Sequence, residues 1–163
     1  MVPELDPLRF PQLDLLLPPL ELDQAGETWY VRDGLRRKWL MLTPEEWVRQ
    51  HVVHWLLQKT GVPQALISLE RKMPGQFKVQ HGHRQRYDVL VYDRKGEGLL
   101  LVECKAPQEK AGSAAVEQAI RYNQHLPTRY VWVTNGLTHR VFQRQPTGWM
   151  VLGGLPDFEE MCR

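Results

Sequence analysis

Apolar and polar positions change period several times along this chain, and each change marks an element. Tyr87-Asp88-Val89-Leu90-Val91-Tyr92-Asp93 and Leu99-Leu100-Leu101-Val102-Glu103-Cys104-Lys105 are two apolar runs around Arg94-Lys95-Gly96-Glu97-Gly98. That pattern predicts a β-hairpin with a polar turn. Side chains alternate along a strand, so Asp88, Leu90 and Tyr92 share a face. On the second strand Leu101, Glu103 and Lys105 share a face, and Leu100, Val102 and Cys104 point the other way. Elsewhere the period lengthens. Trp47, Val48, His51, Val52, Trp55 and Leu56 form one face of a helix. Thr43 suits its N-cap, Pro44 its first turn, Glu46 a capping box, and Gly61 and Pro63 its end. A second helix is expected from Ala114 to His125, with Ser113 as N-cap and Pro127 as the stop.

The remaining elements are shorter. Ala65 to Met73 reads as the first strand of the main sheet, and Thr28 to Leu42 as two strands about Asp33-Gly34. Thr128–Thr134, Leu137–Arg144 and Trp149–Leu152 read as strands, and Pro156 to Arg163 as a short terminal helix. Strand, helix and strand in succession from Leu99 to Thr134 predict a βαβ crossover beside the hairpin. Residues 1–27 are rich in proline and leucine and are expected to form an extended arm over the domain or over a neighbouring subunit, with residues 28–163 as one domain. The expected class is α/β, a mixed central sheet flanked by helices.

Charged residues inside apolar strands need a physical reason, because a buried ion is costly unless paired or bound to metal. Asp88 and Glu103 are hard oxygen donors of the kind Mg²⁺ prefers, and the backbone carbonyl of Cys104 would add a third. Lys105, on the same face as Glu103, is placed to orient water or to stabilise charge on a phosphate. These parts suit phosphodiester hydrolysis.

The pattern of Asp88 followed by Glu103-Cys104-Lys105 resembles the PD-(D/E)XK nuclease superfamily. The longer match from Tyr87 through Ala106-Pro107 is similar to the N-terminal nuclease domain of type I restriction enzyme R subunits. Thr43-Pro44-Glu45-Glu46-Trp47-Val48-Arg49-Gln50-His51, Gln118-Ala119-Ile120-Arg121-Tyr122 and Val133-Thr134-Asn135-Gly136 extend it, so that it covers roughly residues 28 to 155. Tyr87 stands where the superfamily name has Pro. The resemblance implies a restriction-endonuclease-like fold, Mg²⁺ (with Mn²⁺ as substitute) and DNA as substrate. It makes Asp88, Glu103, Lys105 and Gln118 catalytic, with Gln118 holding water or a phosphate, and Tyr122 a DNA contact. It also makes Glu70 a candidate metal neighbour, although Glu70 could equally pair with Arg71, Lys72 or Arg86. No helicase motor follows, so translocation is not expected. A homodimer or a partner subunit of a restriction complex fits this group. The alternative is a non-catalytic nucleic-acid-binding or assembly module that keeps the fold.

Composition narrows the picture only a little. Of 163 residues a quarter are charged, and the formal net charge is +2, which permits nucleic-acid contact without demanding it. Arg84 and Arg86, in the basic loop before Asp88, are candidate phosphate contacts. Arg36, Arg37 and Lys38 beside Trp39 also qualify, although a solvated turn is the favoured reading there. His51 and His54 read as packing or surface histidines. Two cysteines, Cys104 and Cys162, match no zinc or disulfide framework and suit a reduced, cytoplasmic setting. No run suits a membrane span or a secretion signal.

Overall fold

The computed structural model describes residues 10–69 and 87–163. Two sheets organise it. A small antiparallel sheet contains β1 (Leu22–Ala25), β2 (Thr28–Asp33) and β3 (Lys38–Met41) in that order. The main sheet has six strands in sequential order: β4 (Ile67–Leu69), β5 (Val89–Tyr92), β6 (Gly98–Cys104), β7 (Tyr130–Thr134), β8 (His139–Gln145) and β9 (Gly148–Leu152). All its neighbours are antiparallel except β6 and β7, which are parallel and joined through helix α2 (Ser113–His125). The mixed α/β sheet, the hairpin and the crossover are thus as the sequence predicts.

Alternation along β5 and β6 sends side chains into two separate cores. Val89, Val91, Leu100, Val102 and Cys104 pack with Trp47, Val48, Val52 and Leu56 of helix α1 (Pro44–Gln58). Leu90 and Leu101 face the other way and pack with Ala115, Ala119 and Tyr122 of α2. Each buried leucine or valine contributes about 1.5–3 kcal/mol, so a one-residue slip of β6 would forfeit both layers at once. This register fixes where Glu103 and Lys105 emerge.

Three local expectations need correction. First, the arm is not separate from the small sheet: its last residues form the edge strand β1 and pair with β2 from Leu22↔Val31 to Ala25↔Thr28. Earlier in the arm, Phe10 stacks on Trp47, whose indole donates to the Pro11 carbonyl, and Leu13 is buried. Leu13 seats directly on Gly136, where a Cβ would meet it at 2.7 Å and where φ is +84°, so only glycine fits. Second, Ser113 is the first residue of α2 rather than its cap: Gly112 takes the N-cap position and no side chain bonds there. Third, Thr43 caps α1 by accepting from the Glu46 amide, but the Glu46 carboxylate does not close the box. It is taken up by Arg36, Arg49 and Gln50. The short terminal helix is α3, Phe158–Met161. Of the strand expected from Ala65 to Met73, β4 covers Ile67–Leu69, and the segment from Glu70 on lies outside the described residues.

Candidate active site

Asp88 occupies a bend just before β5 and is 7 % exposed. Its Oδ2 accepts from the backbone N–H of Cys104 at 2.7 Å, so the hairpin itself aims the carboxylate. Its Oδ1 accepts from Arg49 Nη2 at 2.6 Å. Glu103 lies in the last turn of the β6 pleat, and the Lys105 amide continues the ladder by donating to the Thr134 carbonyl. Lys105 Nζ is 3.2 Å from Glu103 Oε1 and donates to Gln118 Oε1 at 3.2 Å. Gln118 Nε2 in turn donates to the Tyr122 hydroxyl at 2.7 Å. Gln118 and Tyr122 stand one helical turn apart on α2, which is why that spacing can bracket the end of β6.

Asp88, Glu103, Lys105, Gln118 and Tyr122 therefore come together. Gln118 has its carbonyl on Lys105 and its amide on Tyr122, so in this arrangement it holds Lys105. Cys104 contributes its amide, while its thiol is buried in the core on the α1 side. Glu70, Arg84 and Arg86 lie outside the described residues. His51 is a packing residue: its ring meets Trp47, and its Nδ1 lies 2.7 Å from the Trp47 carbonyl. Burial holds its pKa down at about 4.

The site has a second half that the sequence reading missed. Arg49, buried on α1, reaches Asp88, Glu46 and Glu45, the last at 3.0 Å. Glu46 also binds Arg36, and Arg36 holds Asp33 at 2.7 Å in the β2–β3 turn. A continuous ionic network thus runs from the small sheet through α1 to Asp88. Its signal was present as Glu45, Glu46 and Arg49 at helical spacing, a pattern that otherwise reads as surface pairing. A buried arginine needs more than one anion, and Asp88 supplies the third.

The electrostatics follow from this inventory. Among the described residues five carboxylates (Asp33, Glu45, Glu46, Asp88 and Glu103) share three cations (Arg36, Arg49 and Lys105). The strain falls on the Glu103 side. Burial, followed by the charge of Asp88, pushes Glu103 up to about 8 against the pull of Lys105. Glu45 and Asp88 are also raised, chiefly by burial. Burial works against the Lys105 ammonium, but Glu103 outweighs it and the net shift is upward. Lys105 is therefore a cation at neutral pH. Glu103 Oε2 is buried and has no hydrogen-bond partner among the described residues.

These residues fit a divalent cation. The donors are hard oxygens, one of them a buried carboxylate oxygen with no hydrogen-bond partner among the described residues. Among the described residues no group of three or more His, Cys, Asp or Glu side chains could by itself hold a metal, so the set would be two carboxylates completed by backbone carbonyl and water. An open cleft of about 500 Å³, walled by Met41, Pro44, Glu45, Arg49, Ala106 and Glu109, lies beside them.

Fold and site together define an α/β domain with a carboxylate–lysine centre at the end of its central hairpin. The same fold is seen in the fragment structure described as an HsdR subunit of a type I restriction enzyme from Vibrio vulnificus YJ016, with a TM-score of 0.51 and 24 % sequence identity over 67 % of this chain. This chain covers 22 % of that one, about a fifth of its length. No curated protein matches the sequence. Residues 44–156, more than two thirds of the chain, match the type I restriction enzyme R protein N terminus family (HSDR_N), and the chain belongs to it.

Proposed function

We propose that this domain hydrolyses phosphodiester bonds in DNA with the help of Mg²⁺, as part of a restriction or related DNA-processing system. The observation that carries this reading is a buried Glu103 oxygen with no hydrogen-bond partner among the described residues, beside a lysine kept cationic. Membership of an R-subunit N-terminal family supports it. A restriction complex would supply the partner subunits, and Mn²⁺ would substitute for Mg²⁺.

Asp88, Glu103 and the Cys104 carbonyl would hold the cation. When bound, it supplies Lewis-acid polarisation of the phosphodiester and neutralises its charge. The chain's own residues divide the rest. The Cys104 amide and Arg49 fix Asp88 before any ligand arrives, so no reorganisation is needed during reaction. Lys105 keeps its proton and places an ammonium where negative charge grows on the attacked phosphate. Gln118, anchored by Tyr122, holds that ammonium in position.

The test is cleavage of supercoiled plasmid and linear duplex in Mg²⁺, Mn²⁺ or chelator, with wild type and Lys105→Ala. Removing one preorganised donor of this kind costs about 10²–10³ in rate, so the variant should lose detectable nicking while Mn²⁺ binding and melting temperature persist. Wild-type cleavage by Lys105→Ala would refute the role of Lys105. DNA retention without cutting under any metal would favour the non-catalytic module.

A further inference from the structure

A second hollow lies on the α1 face of the main sheet, where β7, β8 and β9 run side by side. It measures about 210 Å³ and is lined by Trp132, His139, Val141 and Leu152 of the sheet, Trp55 of α1 and Asp14 of the arm. None of its lining residues belongs to the ionic network or to the chain from Lys105 to Tyr122. Its walls are largely apolar and aromatic, yet two polar atoms in them are left over. Among the described residues, Trp132 Nε1 and His139 Nε2 are buried and have no hydrogen-bond partner. Trp132 is 2 % exposed, and its ring lies 5.8 Å from that of His139. Buried polar atoms without partners are uncommon in folded proteins, and two of them in one hollow point to a ligand.

Both atoms are donors. An indole nitrogen always carries its hydrogen. For His139 the tautomer follows from Thr134, whose Oγ1 accepts from the Gly136 amide at 2.9 Å and lies 2.8 Å from His139 Nδ1. Among the described residues Nδ1 is the one acceptor within reach of the Thr134 hydroxyl hydrogen. Nδ1 therefore accepts, and Nε2 carries the ring proton. Burial lowers the His139 pKa against the pull of Asp14, so the ring is neutral at pH 7. Asp14 supplies the opposite polarity. Its amide donates to the Gly136 carbonyl at 2.8 Å, which anchors it, while its carboxylate is 81 % exposed and 3.7 Å from His139 Nε2. That distance is too long for a hydrogen bond.

We propose that this hollow binds a neutral, planar heterocycle of one or two rings with a lactam edge, whose carbonyl accepts from Trp132 and His139 and whose N–H meets Asp14. Size sets the ring count, since an apolar cavity of about 150 Å³ holds one benzene and drug-sized ligands need about 300 Å³ or more. The aromatic walls favour a flat ligand. A hydrocarbon would leave both donors unpaired, and the Asp14 carboxylate repels an anion. Water would find two donors and one distant acceptor in an otherwise apolar hollow, fewer partners than a buried water needs. A nucleobase has the required edge, whether free or carried on a nucleic-acid chain. The proposal is independent of the hydrolytic reading.

The test is a titration of the isotope-labelled full chain, followed by NMR through the indole N–H resonances of its six tryptophans. That of Trp132 is assigned through its own side-chain connectivities, so the wild type alone carries the result. Uracil should move the Trp132 resonance downfield and saturably. Toluene, which has no acceptor, and orotate, the same ring with a carboxylate, should each bind about tenfold more weakly. Trp132→Phe keeps a ring and removes the donor, and should weaken uracil about tenfold. Asp14→Ala, at an exposed position, should narrow the gap between orotate and uracil. A thymidine dinucleotide that moves the resonance as uracil does assigns the occupant to a base on a chain, and one that leaves it in place assigns a free heterocycle. A Trp132 resonance that uracil does not move overturns the proposal. Toluene binding as tightly as uracil overturns it in favour of a plain apolar cavity, and orotate ahead of uracil in favour of an anion site.

Discussion

Asp33 and Glu103 are both carboxylates almost wholly withdrawn from water, at 2 % and 4 % exposure, yet their surroundings push them in opposite directions. Asp33 accepts from the backbone N–H and guanidinium of Arg36 and from the Gln50 amide. Burial alone would raise its pKa, but these donors win and hold it below the usual carboxylate range. Among the described residues Glu103 has one cation, Lys105, shared with Gln118, and an oxygen with no donor. The difference is the number of donors per oxygen, since burial is common to both. Folding completes the first site and leaves the second incomplete, which is the condition for binding something from outside.

The largest effect should separate these two sites by the sign of a stability change. Asp33→Asn removes one of the two carboxylates that Arg36 binds, breaking a buried ion pair and leaving Glu46 as the other. The expected loss is about 3 kcal/mol, a fall in Tm of roughly 10 °C. Glu103→Gln, made in chelator, removes a carboxyl that already repels Asp88, so the folded protein should be unchanged or more stable. Thermal melts of both variants check this. Equal destabilisation would mean that Glu103 is as structural as Asp33.

Only the Glu103 half of this contrast was legible in the sequence, since Asp33 read as a turn residue, and the reason is specific. Alternation along β5 and β6 is strict, so a carboxylate at Asp88, Glu103 or beside Lys105 had to face the same side, and apolar neighbours guaranteed burial. The i, i+4 pair Gln118 and Tyr122 was readable for the same kind of reason. Arg49 was not. Its partner Asp88 is 39 residues away, and in sequence it looks like the end of a surface pair with Glu45. Glu46 was misassigned because a capping box and a buried ion pair use the same residue, and only tertiary contact with Arg36 decides between them. β1 was hidden because its pairing with β2 supplies order that the polar Leu22–Ala25 stretch lacks by itself.

Titration sharpens the comparison further. Glu103 is raised from 4.5 to about 8, so the folded chain keeps a proton that the unfolded chain releases in that window. Its contribution to stability is full below about 4.5 and is lost as pH rises through about 8. Asp33 is depressed, so its contribution is full above 3.8 and is lost as pH falls through its lowered value. Metal-free protein should thus lose stability between pH 5 and 8, at no more than about 1.36 kcal/mol per pH unit for one proton. Glu103→Gln should reduce that slope, leaving the part that comes from Glu45 and Asp88, whose pKa values are also raised. Mn²⁺ uptake at pH 7 should release protons, seen by calorimetry in buffers of different ionisation enthalpy, and fewer in Glu103→Gln. Proton release unaffected by that substitution would place the titrating group elsewhere in the network.

The smallest effects belong to the α2 side, and they separate positioning from contact. Gln118→Ala removes one of the two acceptors that hold the Lys105 ammonium. A hydrogen bond to a charged group is worth about 1.5–3 kcal/mol, but Glu103 remains to hold the lysine, so a fall in kcat of about tenfold is expected with KM little changed. Tyr122→Phe acts one step further away, through the Gln118 amide, and should cost no more than a few-fold. Neither should move the melting temperature much, because neither leaves a buried charge unpaired. The order Lys105, Gln118, Tyr122 is the informative quantity. If Tyr122→Phe raises KM for DNA more than Gln118→Ala lowers kcat, the hydroxyl meets the substrate directly and the chain from Lys105 to Tyr122 is not one of positioning alone.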